Sequence, residues 1–512
     1  MNVDDLAGQH GRTDSIPSRL VDSLIEHGCL DLLMETARAR LDWSCARAAA
    51  QSLCAQGTFE KAWTVVEPFA AAGWQPAVRA GADVLLRWGR TSQALQLARP
   101  AAGDTAAHDA WRDYAEVLVE AGMVDEAIDA LARRPRDERT LWTLVTVTEG
   151  RGRDERVLEL LTPIAEAFRR DPQQPEVRHL GDALSAHARV LERAGRVDEA
   201  IRLRATDAAA NRGWSAEHDY ATLLARHGRI AELRELATGP ARSTVVRPFV
   251  EALEALGRSA EAEAHLRSLI DTDEYPTGYE SELLELLIRQ GRFDDAVQAV
   301  EHTFDDLYDG NLLQPALILL AEQGQHDRAL KLTEGRSPEF LAENDAFWLR
   351  SNRWWLMGES GRCREAIAEI DALPPDEVDD RELTIAWLLA QDGQVDEAIA
   401  RVRPLSGTRA ATELAGLLVR QGRFAEAIAV IPDAAAQREE QRCFWMRWEE
   451  RDKAAADGDG RSVDARVCSL DDDRGAVRDM RPGKGGGQER TDGPWPCCRR
   501  PSGQNGMSTP QK

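Results

Sequence analysis

Lysine is almost missing from this chain of 512 residues: only Lys61, Lys331, Lys453, Lys484 and Lys512 occur, so nearly all of the 64 bases are arginine. Bases are also short against 88 acids, which leaves a net charge of −24. A surface built to grip nucleic acid or an anionic membrane carries the opposite sign, so neither is expected as a partner. Long apolar runs are absent. The longest, around Pro315 to Ala321, falls far short of the roughly 20 residues that span a bilayer. The opening MNVDDLAGQHGRTDSIP has neither the basic start nor the apolar stretch of a secretory signal. A soluble, cytoplasmic chain is the expectation.

Cysteine chemistry is missing too. Cys29, Cys45, Cys54, Cys363 and Cys443 are scattered singly, and Cys468, Cys497 and Cys498 lie in an unusual C-terminal stretch. No CxxC pair and no HExxH occurs, so no metal or other cofactor is expected. There is no GxSxG, no GxGxxG and no complete P-loop; PGKGGG around Lys484 lacks the leading glycine and the hydroxyl residue. DGDG at Asp457 to Gly460 lacks the later ligands of a calcium loop. One enzyme-like string exists, DDxxD at Asp305, Asp306 and Asp309, of the kind that chelates magnesium and diphosphate in helical isoprenoid enzymes. It runs into Asp309-Gly310, a turn signature, and no second metal motif accompanies it. The expectation is a solvated turn and no enzymatic activity.

What the chain does have is repetition. GMVDEAI from Gly122, GRVDEAI from Gly195, GQVDEAI from Gly393, GRFDDAV from Gly291 and GRFAEAI from Gly422 are one phrase. Weaker copies start at Gly57, Gly89, Gly152, Gly228, Gly257, Gly324 and Gly361, and Gly28 opens a degenerate one. The glycines recur on average about every 33 residues, the period of helical-hairpin arrays.

Each position has a physical task. The glycine suits a left-handed turn after one helix. Three residues on, Asp125, Asp198, Asp294, Asp327 and Asp396 suit the start of the next helix, where a carboxylate caps free amides and meets the positive end of the dipole. Five residues on stands alanine in ten copies, Ala62, Ala94, Ala127, Ala200, Ala262, Ala296, Ala329, Ala366, Ala398 and Ala427, with Val157 and Leu233 the exceptions. A small residue at a fixed place implies close approach of two helices. Pro68, Pro100, Pro163 and Pro404, eleven after their glycines, are expected to close the second helix. Four residues before the glycine stands leucine, as at Leu118 and Leu224. Seven before it is often alanine, as at Ala115 and Ala221, on the same helical face. No strand-like alternation appears.

These residues resemble the tetratricopeptide-repeat family, whose 34-residue unit has a small residue, an aromatic or aliphatic, a turn glycine and a helix-B alanine at the same offsets. The copy from Trp111 through Ala115, Leu118, Gly122 and Ala127 matches best. Elsewhere the early tryptophan is mostly missing and leucine replaces the helix-A tyrosine. The resemblance implies an all-α fold: a right-handed α-solenoid of about 12–13 helix-turn-helix repeats forming a long superhelix. The array is expected over 15–452 after flexible residues 1–14, and from 453 to 512, where glycines cluster, aliphatics vanish and no copy of the phrase occurs, a disordered low-complexity tail is expected.

Two interruptions stand out. The step from Gly152 to Gly195 carries AFRRDPQQPEVRHL, from Ala167 to Leu180, read as a loop or an elongated helix. The step before Gly361 carries the aromatic PEFLAENDAFWLRSNRWWL.

In the family, helix A lines a concave groove that holds a peptide or a partner helix. The matching inward positions lie ten and six residues before each glycine. They include an arginine row, Arg47, Arg79 and Arg112, then Trp142, Arg247, Trp355 and Trp387. Two roles compete for the arginines: pairing with ligand carboxylates, or knitting repeats through Asp83 or Glu116. For Trp354, Trp355 and Trp387 the choice is an aromatic wall or packing between helices. The asparagine and lysine pattern of a C-terminal-carboxylate clamp is absent. The expected function is a non-enzymatic scaffold that binds protein or peptide through its groove. The alternative is a sensor solenoid acting in trans on a bacterial signalling or transcription regulator.

Overall fold

The computed structural model describes residues 16–100, 108–132, 138–170, 183–210, 214–304, 312–335, 346–374, 378, 380–443 and 446. Asp305, Asp306 and Asp309, residues 1–14 and the segment 453–512 lie outside the described residues, as does most of the insert after Arg170.

The described residues contain helices and no strand. Thirteen hairpins follow in chain order. They are α1 (Ser18–Glu26) with α2 (Leu30–Arg40), α3 (Trp43–Ala55) with α4 (Phe59–Ala70), and α5 (Gln75–Arg87) with α6 (Thr91–Ala98). Next come α7 (His108–Glu120) with α8 (Val124–Ala132), α9 (Glu138–Val147) with α10 (Asp154–Arg170), and α11 (Ala183–Arg193) with α12 (Val197–Ala210). The middle holds α13 (Trp214–Arg226) with α14 (Ile230–Thr238), α15 (Arg242–Ala255) with α16 (Ser259–Thr272), and α17 (Thr277–Arg289) with α18 (Phe293–Val300). The last four are α19 (Leu313–Glu322) with α20 (His326–Leu332), α21 (Ala346–Glu359) with α22 (Cys363–Ala372), α23 (Arg381–Gln391) with α24 (Val395–Val402), and α25 (Thr408–Arg420) with α26 (Phe424–Val430).

The turns explain the glycines. All thirteen repeat glycines have positive φ, from 63° at Gly228 to 82° at Gly393, a region costly for any residue with a Cβ. In most copies the residue after the glycine donates its N–H back to the carbonyl of the leucine four before the glycine, as in Met123 to Leu118 at 2.8 Å and Arg258 to Leu253 at 2.8 Å. This is the Schellman closure of a helix C-terminus. The leucine therefore has two tasks: its carbonyl ends the helix and its side chain enters the core. Leu224, Leu253, Leu287, Leu320 and Leu418 are completely buried.

The alanines five after the glycine explain the stacking. All ten have 0% exposure, and so do Val157 and Leu233 in the exceptional copies. The buried residues of nearly all the hairpins form one contiguous core.

Two local expectations are corrected. The aspartates do not cap: the N-caps Arg292 and Gln394 precede them, and neither position carries a side-chain cap. They sit in the first turn, where Asp125, Asp198 and Asp294 instead meet arginines of the next repeat and Asp396 accepts from Gln421. Asp125 accepts from Arg153 at 3.0 Å, Asp198 from Arg229 at 2.9 Å and Asp294 from Arg328 at 2.9 Å. Such exposed pairs contribute little each, about 0–1 kcal/mol. The prolines also divide. Helices α6 and α24 stop before Pro100 and Pro404, but Pro68 and Pro163 lie inside α4 and α10. Helix α10 continues to Arg170, so the insert begins as an elongated helix.

The array is not an open rod. Helix α1 packs against α25. Arg40 donates to the carbonyl of Ile431 at 3.0 Å, and the rings of His27 and Phe424 lie 5.1 Å apart. Successive A helices touch along most of the array in the same way, so the first hairpin stands where a repeat following the last would stand. Residues 434–443 are helical. Their Glu440 accepts from the Thr408 N–H at 2.9 Å, capping α25 from outside its own hairpin.

Replacing Ala200 by Trp puts an indole where there is no free space. It is expected to lower the unfolding free energy by roughly 1–3 kcal/mol or more. Denaturant titration followed by circular dichroism measures it, and an unchanged midpoint contradicts the packing described.

Candidate functional site

Neighbouring A helices are in contact through most of the array, whereas among neighbouring B helices only α2 and α4 approach as closely. The A helices therefore lie on the inside of the curve. None of the inward positions, ten and six before each glycine, is fully buried. They also meet across repeats: Arg79 pairs with Glu116 at 3.4 Å, and Arg247 with Glu285 at 3.0 Å. The positions form one accessible stripe.

The arginine row is largely used internally. Arg79 is held between Glu116 and Glu120 of the next repeat, with 3.1 Å from its Nη1 to Glu120. Arg112 pairs with Asp109 one turn earlier on its own helix. Arg47 is exposed and pairs with no carboxylate among the described residues. The tryptophans do not form a free wall. Trp354 is 2% exposed. Trp142, Trp355 and Trp387 are half-buried against the core, and the Trp387 ring lies on Gly358 with no room for a Cβ between them.

A pocket opens along the stripe near its middle. A cavity of about 550 Å³ opens between α13, α15 and α17, lined among others by His218, Arg242, Arg247, Tyr275, Tyr279 and Glu282. Only His218 and Arg247 of these stand at inward positions. The others escape a reading by repeat offset because Glu282 is nine before its glycine and Asp273 and Tyr275 belong to the connection between hairpins.

The electrostatics are built around two arginines. Arg242 donates to Asp273 at 2.9 Å, and Tyr279 donates its hydroxyl to the same oxygen at 3.3 Å. Hydrogen bonding from Arg242 holds the Asp273 carboxyl below its usual range. Arg247 is shared by Glu251 at 3.3 Å, Glu285 at 3.0 Å and Glu282 at 3.6 Å. The Glu282 side chain is only 13% exposed, and burial pushes its carboxyl up to about 7. Among the described residues it accepts no hydrogen bond.

A second ionic group is structural. Arg204 on α12 is 4% exposed and bridges Asp207 and Asp219, each at 2.7 Å, and Ser185 at 3.0 Å. It ties three successive helices together, and repeat spacing alone does not reveal it.

Among the described residues no three His, Cys, Asp or Glu side chains are grouped to hold a metal, and no helix is long and apolar enough to cross a membrane.

No family model matches the chain. No curated protein matches it either. Solved structures do. Naa15/Naa10 bound to HypK-THB is 16% identical, covering 79% of this chain and 72% of that one at a TM-score of 0.34. The pentatricopeptide repeat protein PPR10 from maize is 15% identical over 86% and 72%, at 0.32. Yeast Tom70 is 10% identical over 83% and 98%, at 0.28. Scores this low say nothing of what this chain binds. The fold class rests on the chain's own geometry: glycine-closed hairpins, stacked through a fixed alanine, make it an α-solenoid of helical hairpins.

Glu282 generates a prediction. Its carboxyl stands higher in the folded chain than the ordinary 4.5. The folded state thus holds the proton more tightly, and stability falls as pH rises from about 4.5 to about 7. Glu282→Gln removes that loss. Its unfolding free energy is expected to match the parent below pH 4.5 and to exceed it by roughly 2–3 kcal/mol above pH 7. Denaturant titrations across pH check this. A pH-independent difference contradicts it.

Proposed function

We propose that the chain is a non-enzymatic scaffold that binds a protein or peptide segment along the stripe of its A helices. The observation that carries this reading is the accessible inner face itself. A buried core lies behind it, and along it polar and half-buried aromatic side chains keep part of their surface open. Concave faces of stacked repeats are extended binding surfaces by their shape. An interior lined by Arg79, Glu116, Arg247 and Glu285, with half-buried tryptophans between, offers both charge-assisted hydrogen bonds and apolar contact to an extended segment. The excess of acid over base disfavours nucleic acid and anionic membranes as partners. The lack of a long apolar helix among the described residues fits a cytoplasmic setting.

Affinity capture with the full chain tests the reading when paired with two variants. One replaces Arg47, Gln51, Thr146 and Gln314 on the inner stripe by alanine. The other replaces Glu60 and Arg202 on B helices. The expected outcome is a co-purifying protein retained by the parent and the B-helix variant and lost from the stripe variant. Retention by the stripe variant and loss from the B-helix variant would move the binding surface to the convex side.

A further inference from the structure

The cavity between α13, α15 and α17 shows an imbalance that the fold does not require. Arg242, Arg247 and Arg289 stand near it with five carboxylates, Asp273, Glu251, Glu254, Glu282 and Glu285. Arg242 is taken by Asp273, and Arg289 by Glu254 at 2.7 Å and Glu285 at 3.3 Å. Among the described residues that leaves Glu251 and Glu282 to Arg247, which also shares Glu285 with Arg289. Glu282 receives least: its nearest cation is 3.6 Å away, beyond hydrogen-bond distance. An ionised carboxylate has about four acceptor sites, and here they meet no donor among the described residues although the group is almost buried.

The mouth of the cavity adds an aromatic face. Tyr275 is 78% exposed, the most exposed large apolar side chain among the described residues. Its backbone is fixed by the N–H donated to Asp273 at 3.2 Å. An exposed ring, a sheltered acceptor and a surplus of negative charge are the elements that recognise a planar cation.

We propose that this cavity takes the guanidinium of an arginine in a bound peptide segment, with Glu282 as its acceptor and the Tyr275 ring against its face. The inference rests on the scaffold reading and names the chemistry of the partner. An anionic segment is disfavoured, because it would have to draw Arg247 away from Glu251, Glu282 and Glu285. Arginine suits the site better than lysine because its fork donates two parallel bonds to one carboxylate and its plane stacks on tyrosine.

Binding should respond to pH through the groups around Glu282. These are Arg242, Arg247 and Glu251 from α15, Glu285 and Arg289 from α17, His218 from α13, and Asp273, Tyr275 and Tyr279 beside the connection. A cation prefers the ionised carboxylate, so affinity should rise as pH increases from 6 to 8.

The test selects binders to the full chain from a library of 12-residue peptides with all positions randomised. Anisotropy titrations of the selected sequences follow. The expected result is enrichment of arginine at one position. Replacing it by neutral citrulline, or Glu282 by Gln, should weaken binding about tenfold, the scale of a charge-assisted bond, with a smaller loss for lysine. Glu60→Gln on a distant helix should leave affinity unchanged, and matching circular dichroism confirms that each variant is folded. Peptides that bind without a basic residue and ignore Glu282→Gln would overturn this inference and leave the scaffold standing. A library yielding no binder would overturn both.

Discussion

Helix B can approach its neighbours only as closely as the side chain between them allows, and in this chain that side chain is alanine with no exposed surface. Ala62 through Ala427 hold the same place in ten hairpins, each at 0% exposure. The left-handed glycine five residues earlier makes the alanine arrive at the right angle by reversing the chain in one step. Together they fix both the spacing and the rotation from one hairpin to the next. Because each repeat touches mainly its neighbours, small constant steps add up to a global shape.

In this chain the steps add up to closure. The terminal hairpin of an ordinary array exposes an apolar end that needs a cap. Here Leu20, Val21 and Leu24 of α1 are buried within a core that also includes Leu414 and Leu418 of α25, so the two ends are capped together. Closure also gives the inner stripe a continuous wall on the shorter side of the curve. A pocket in that wall carries an acid held in a poorly solvating place. A group that costs stability and accepts no hydrogen bond among the described residues is better suited to meeting a ligand than to packing.

How much of this was legible from residues depends on whether the cause is local. Gly122, Leu118 and Ala127 each act within one hairpin, so their spacing sufficed to give the turn, the core face and the close contact. The aspartates looked like caps because a first-turn carboxylate usually is one. Arg153, Arg229 and Arg328 compete for them from the next repeat, and a charged donor wins over a backbone amide. Arg79 was legible as a candidate, but whether its fork is free depends on Glu120, one turn beyond the position that was weighed. Glu282 and Tyr275 were missed because neither stands at an inward offset. Closure was not legible at all: Arg40 and Ile431 are 391 residues apart, and the sum of thirteen small rotations cannot be read from any one of them.

The central claim is that the repeated step brings the first and last hairpins together. It is tested most directly by the distance between spin labels at Glu26→Cys and Arg423→Cys, in a full chain whose other accessible cysteines are serine. The account predicts a single short and narrow distance. A broad distribution centred on the span of an open thirteen-hairpin rod would contradict it.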